Sequence, residues 1–275
     1  MDNGWPRSIL TALCIATCAL LGLLASTFAM GPRGSVAPAL LDASLPAVAM
    51  LVVQTILAVA AGLACGVARP INAAVALFCF GCGVAAFAMR SGTVADAVFQ
   101  GGAFRWLGAE TIAWGLFVAI VAMTMFRLGG PLPDVPVPDP DQSFVAGLLR
   151  PRALASLAAA LAAPAVLAFV LVGPTKGQSI GACTVAGIVT AVIARLIAPR
   201  EQPILVFAAP VLVIGMAQLL LAGAAMQGLD AKFATGALGP ILCAMPADVA
   251  AGSACGVAIG LGWSKGLVKP SADAA

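Results

Sequence analysis

The chain contains no histidine and no tyrosine. Without histidine, haem ligation through imidazole, His-based zinc sites and His general bases are all excluded. Charge is scarce as well. Only 9% of the 275 residues are Asp, Glu, Lys or Arg, against about 25% in soluble domains. A surface so poor in charge does not face water. The charges that exist stand at the ends of apolar runs, with essentially none at the middle of one. Charge at the bilayer centre is costly and usually marks function. Its absence argues against a proton relay of carboxylates, a voltage sensor or an ion pump. Basic clusters are missing too, and a net charge of +3 carried by single Arg and Lys residues is no nucleic-acid footprint. No GxxxxGK[ST] loop occurs, because GPTKGQS has the wrong spacing, and no histidine-based triad or zinc-protease signature can be built.

What remains is apolar: 62% of the residues are hydrophobic. The runs are continuous rather than alternating, which argues against a β-barrel and points to an all-α, polytopic membrane protein. Eight membrane spans are expected, over 8–30, 47–68, 71–89, 110–126, 153–172, 180–198, 204–225 and 248–263. The last is rich in glycine and reads as either a span or a re-entrant segment. Pro164 and Pro210 fall inside spans, where the lost backbone bond predicts a bend. Phe99, Phe104, Trp106 and Leu107 fall in a loop and suit the membrane interface. Trp5, Trp106 and Trp263 sit near helix ends, as interfacial anchors do.

With eight spans, one face carries Arg7, Arg69, Arg127, Arg150, Arg152, Arg195, Arg200, Lys265 and Lys269. The other carries Arg33, Arg90, Arg105, Lys176 and Lys232. The bias places both termini in the cytoplasm of a multi-pass cell-membrane protein. Five prolines and three aspartates in GGPLPDVPVPDPDQ predict an extended, water-exposed linker. It separates an N-terminal half, 1–128, from a C-terminal half, 153–275, with 129–152 as a Pro/Asp-rich cytoplasmic linker.

The halves share a rhythm of spans, tight turns and long loops, which reads as two parallel four-helix repeats. QTILAVAAGLACGVAR parallels QSIGACTVAGIVTAVIAR. That pairs Gln54 with Gln178, Gly62 with Gly187, and Arg69 with Arg195. Two unrelated four-helix halves of similar composition would look much the same.

Glu110 and Asp248 are the leading site candidates, each an acid preceding an apolar helix on the non-cytoplasmic face. Helix capping explains them; a symmetric pair of acids at a central vestibule is the functional alternative. Arg69 and Arg195 at helix ends suit snorkelling to phosphate headgroups. Gln54, Gln178 and Gln218 are amides in or near spans, read as interhelical hydrogen-bonding glue or as cavity lining. Gly252, Gly256 and Gly260, and likewise Gly62 and Gly66, recur at four-residue spacing and predict close helix approach. Most of the eight cysteines lie inside apolar runs beside Ala and Gly, where packing is the ordinary role. Cys79 and Cys82 have C-x-x-C spacing without a thioredoxin-like context, so sulfur handling through these, Cys183 or Cys255 is a distant third reading.

No catalytic, metal or cofactor residue is expected, and the chain reads as a non-enzyme. Its partners are the lipid bilayer, with no nucleic acid, and the small-residue faces are compatible with a homo-oligomer or another membrane protein. Two functions follow: a permease- or channel-like protein for a small solute, or a non-transporting membrane scaffold or assembly subunit.

Overall fold

The structure, a computed structural model, describes residues 5–30, 36–37, 47–68, 72–100, 104–136 and 144–267. Among them every regular element is helical, apart from isolated bridges joining Met30, Val36 and Ser91. The N-terminal half holds α1 (Trp5–Phe28), α2 (Ala47–Ala68), α3 (Ala73–Arg90), the short α4 (Val94–Gln100) and α5 (Leu107–Gly129). After the short α6 (Phe144–Leu148) comes a broken rod. It is α7 (Pro151–Leu157), a 3-10 stretch Ala158–Ala162, and α8 (Ala163–Val170). Then follow α9 (Lys176–Ile197), α10 (Ala209–Ala225), the short α11 (Leu229–Ala234) and α12 (Pro240–Cys243), and α13 (Pro246–Ser264).

Six helical stretches are long and apolar enough to cross a membrane: Arg7–Phe28, Ala73–Arg90, Leu107–Gly129, Pro151–Val170, Lys176–Ile197 and Leu205–Gly223. The apolar part of α2, Leu51–Ala64, is shorter by that measure. Neither α2 nor α13 is among the six. Pro164 does interrupt its rod, through the 3-10 stretch before it. Pro210 stands the same way, in the first turn of α10 just after the 3-10 turn Leu205–Phe207, so its missing N–H falls where the helix type changes and not inside a regular α-helix. Helix α9 starts at Lys176, one turn earlier than expected, so Lys176 and Gln178 belong to a helix and not a turn.

The ends of the long helices sort onto two faces. Ser91 after α3, the start of α9 and the start of α13 meet on one, called here the loop face. The first residues after α5, the end of α9 and the end of α13 meet on the other, the linker face. Helix α13 therefore runs the same depth as α9, with which it packs most extensively. The two are parallel. A Cβ on Gly252 would meet Ile180 O and Cys183 Cβ; on Gly256, Thr184 O at 2.1 Å; on Gly260, Ile188 O and Ala191 Cβ. Each glycine lets the α9 backbone into contact, one turn after another.

The halves interlock through α3 against α13 and α10 against α5. Gly81 opens the first contact beside Cys255, and Gly108, Gly115 and Gly215 open the second. Gly22 and Gly83 do the same between α1 and α3.

Gly62 and Gly66 depart from expectation. A Cβ on either would meet nothing within 4 Å. Helix α2 buries Val53, Leu57, Ala60 and Ala64, and the two glycines lie off that stripe. Among the expected interfacial residues, Phe99 and Trp106 are exposed, but Phe104 and Leu107 are buried in a small core with Val98, Leu229 and Leu242. The linker also begins folded rather than water-exposed. Leu132 and Val135 are buried, and Leu132 N–H donates to Gln202 Oε1. Arg69 and the turn at 69–71 lie outside the described residues.

Candidate functional site

Helix α13 carries Asp248 in its first turn, after the proline start at Pro246, which suits a missing N–H. Helix α9 places Lys176 at its first position. A cation there opposes the helix dipole, so its partner matters. Lys176 Nζ lies 3.0 Å from Asp248 Oδ1 and donates to Ser91 Oγ at 3.0 Å. The pair is nearly sealed, with side-chain exposures of 11% and 1%. Asp96, on α4, adds a second negative charge near the ammonium. Removing one member of such a pair leaves an uncompensated buried charge.

The site is not fully satisfied. Asp248 Oδ2 and the Ser179 Oγ close to it are buried, and neither completes a hydrogen bond of normal geometry. Ser253 Oγ, further along α13, is buried and unpartnered too. Buried polar groups are ordinarily paired, so three such atoms on two adjacent helices need a reason.

A second charged layer closes the linker face. Arg195 is 2% exposed, the largest fully buried side chain described. Its guanidinium pairs with Asp134 and donates to Pro199 O. Lys265 Nζ sits 3.8 Å from the other Asp134 oxygen. Snorkelling to headgroups is therefore the wrong account of Arg195: the linker folds back and supplies the counter-charge. Glu201 on the following turn meets Arg150 at 3.6 Å.

The remaining candidates separate. Glu110 is 2% exposed and accepts from Trp114 Nε1 at 3.3 Å. It lies in the first turn of α5, where Trp114 meets it, whereas Asp248 meets Lys176. Gln218 is wholly buried and glues three segments. Its Oε1 accepts from Thr111, and its Nε2 donates to Ile241 O and Ala244 O. Gln54 is half-buried on α2, and Gln178 is exposed in the first turn of α9, folded over Gly173. The structure does not bring Gln54, Gln178 and Gln218 to one cavity.

Sequence reading missed Lys176, Ser91 and Ser179. The signal was available: Lys176 and Ser179 are i and i+3, one face of a helix once its true start is known. It also missed that Cys14, Cys18, Cys79, Cys82 and Cys255 converge from α1, α3 and α13. The cysteines whose side chains are described are free thiols, and among the described residues no three His, Cys, Asp or Glu form a metal-holding group. Cys243 lines an opening of about 210 Å³ with Leu171, Phe233 and Pro240. Burial pushes its thiol pKa up, which disfavours the reactive thiolate.

Comparison with known proteins adds no name to this site: no family model, no curated protein and no solved structure matches the chain.

Proposed function

We propose that the chain is a multi-pass cell-membrane protein of eight crossing helices that passes a small, mostly neutral solute, without catalysis. The eighth crossing is α13. It is poor in large apolar residues and is not among the six long apolar stretches, yet it runs from Asp248 at the loop face to Lys265 at the linker face. The swap of halves that exchanges α3 with α10 and α5 with α13 also exchanges the two inter-half contacts, which supports a parallel duplication. Packing inside the halves is less symmetric, since α9 meets α13 broadly while α2 and α5 touch little. The cation bias favours the linker face as cytoplasmic.

One observation carries the permease reading. Two charged layers close the ends of the α9–α13 pair, and between or beside them lie Asp248 Oδ2 with Ser179 Oγ close to it, and Ser253 Oγ, all buried and short of their full hydrogen bonding. A solute with hydrogen-bonding groups would satisfy those atoms, and the ion pairs would act as gates on either side. The absence of mid-helix charge suits an uncharged solute. Light scattering from proteoliposomes tests this, with glycerol and urea as permeants. Wild-type vesicles should swell several-fold faster than empty ones, and Ser253→Val should return the rate to that of empty vesicles while keeping a monodisperse elution profile. Equal swelling with and without protein overturns the reading.

A specific observation favours the scaffold alternative. The inter-half contacts at Gly81, Gly108 and Gly215 bring backbones into van der Waals contact, which leaves little room for the halves to part. In that case vesicles stay impermeable and the protein's role lies in the lipid-facing surfaces of α1 and α10.

A further inference from the structure

We infer that the linker face holds a binding site for an anionic phospholipid, in a groove bounded by α1, α3 and α13. The groove has a volume of about 350 Å³. Its wall is apolar, made by Val75 and Phe78 of α3 and Ala258 and Leu261 of α13. Its polar residues are Asn72 and Lys265, with Thr11 of α1. Both Asn72 and Lys265 are helix-end residues: Asn72 caps the start of α3, and Lys265 follows the last residue of α13. The groove therefore begins at the membrane surface and runs about two helical turns inward, the depth of a headgroup and the upper part of an acyl chain.

The chemistry at the mouth selects an anion. Asn72 Oδ1 accepts from Val75 N–H at 2.9 Å, which leaves its NH2 group as a donor. Lys265 is 45% exposed, and its contact with Asp134 is long, at 3.8 Å. An exposed pair of that length is weak, so the ammonium can turn to a phosphate. Near an anionic leaflet a single Lys adds on the order of 1 kcal/mol of attraction, and the apolar wall adds the burial of the chain. Leu132 of the linker also lines the groove. Lipid occupancy and linker docking thus share Lys265 and Leu132.

The open side of the groove supplies the test. A Cβ on Gly262 would meet nothing within 4 Å, so Gly262→Leu fills the groove without clashing. The chain of 275 residues, stripped in a non-ionic detergent, is melted with added phosphatidylglycerol, phosphatidylcholine or inorganic phosphate. Phosphatidylglycerol should raise Tm on the order of 5 °C more than phosphatidylcholine at saturation. Lys265→Gln should abolish that difference while keeping the wild-type Tm without lipid, and Gly262→Leu should remove stabilisation by either lipid. Equal shifts with the two lipids, an unchanged preference in Lys265→Gln, or an equal effect of free phosphate would each overturn the site. None of these readouts depends on solute flux.

Discussion

Helices α1 and α13 run through the same fold in opposite surroundings. Helix α1 has 24 residues and shows Leu13, Leu20 and Leu24 to the outside, with 22% of its apolar window buried. Helix α13 has 19 residues, most of them Ala, Gly, Ser or Val, and is buried on almost every side by α3, α5 and α9. The first presents the apolar surface that a lipid would solvate; the second is solvated by protein. Hydropathy detects the first because lipid demands large apolar side chains. It registers the second only weakly because a central helix needs small residues that let neighbouring backbones in. A helix shielded from lipid is also free to carry an acid such as Asp248.

The contrast breaks most sharply at Gly256. Its missing side chain is the space occupied by Thr184 O, only 2.1 Å from where a Cβ would stand. Backbone cannot move aside as a flexible side chain can. Gly256→Leu should therefore prevent assembly of α9 on α13, read as loss of a monodisperse peak in detergent. A folded variant with an unchanged Tm would mean that α13 is not held this closely.

Next comes the acid that protein solvation permits. Asp248→Ala leaves Lys176 buried at 11% side-chain exposure without its counter-charge, and breaking a buried pair costs about 3–5 kcal/mol. Thermal unfolding in detergent should show the loss. The double variant Lys176→Met with Asp248→Leu should recover most of it, since apolar replacements of a buried pair are often neutral. If the single and double variants melt alike, the pair is not what holds this end of α9 to α13.

That end was only half legible in the sequence. Asp248 stood out because an acid before an apolar run is rare in so uncharged a chain. Its partner did not, because Lys176 lies beside Gly173 and Pro174 and reads as turn. Membrane-helical character and most helix positions followed from run length alone. The fold of the linker did not follow: proline and aspartate signal exposure, and nothing local says that Asp134 will find Arg195. Gly62 and Gly66 show the limit of spacing arguments. Four-residue spacing puts glycines on one face, but only the neighbouring stripe of Val53, Leu57 and Ala60 decides which face is packed.

A smaller effect is expected where a buried polar group joins α10 to α5. Gln218→Leu keeps the volume but strands Ile241 O, Ala244 O and the Thr111 hydroxyl. Unpaired buried groups cost about 1–3 kcal/mol, and part of that returns because Thr111 Oγ1 still donates to Leu107 O. The loss should be clear in Tm yet below that of Asp248→Ala. An effect as large as the ion pair's would mean that the α10–α5 contact, not the α9–α13 contact, is the firmer join.

The smallest change belongs to the lipid side. Leu20 is 66% exposed on α1. In a bilayer its neighbours are acyl chains, both in the assembled protein and in a helix that has separated from it. Lipid is as apolar as leucine, so Leu20→Ala removes no burial that assembly created. The change in stability should stay within about 0.5 kcal/mol, measured in lipid nanodiscs. Gly62→Leu should behave likewise, since its added side chain enters open space. A loss comparable to a core truncation at Leu20 would place protein against that face. Helix α1 would then be, like α13, an inner helix, buried in this case by another molecule.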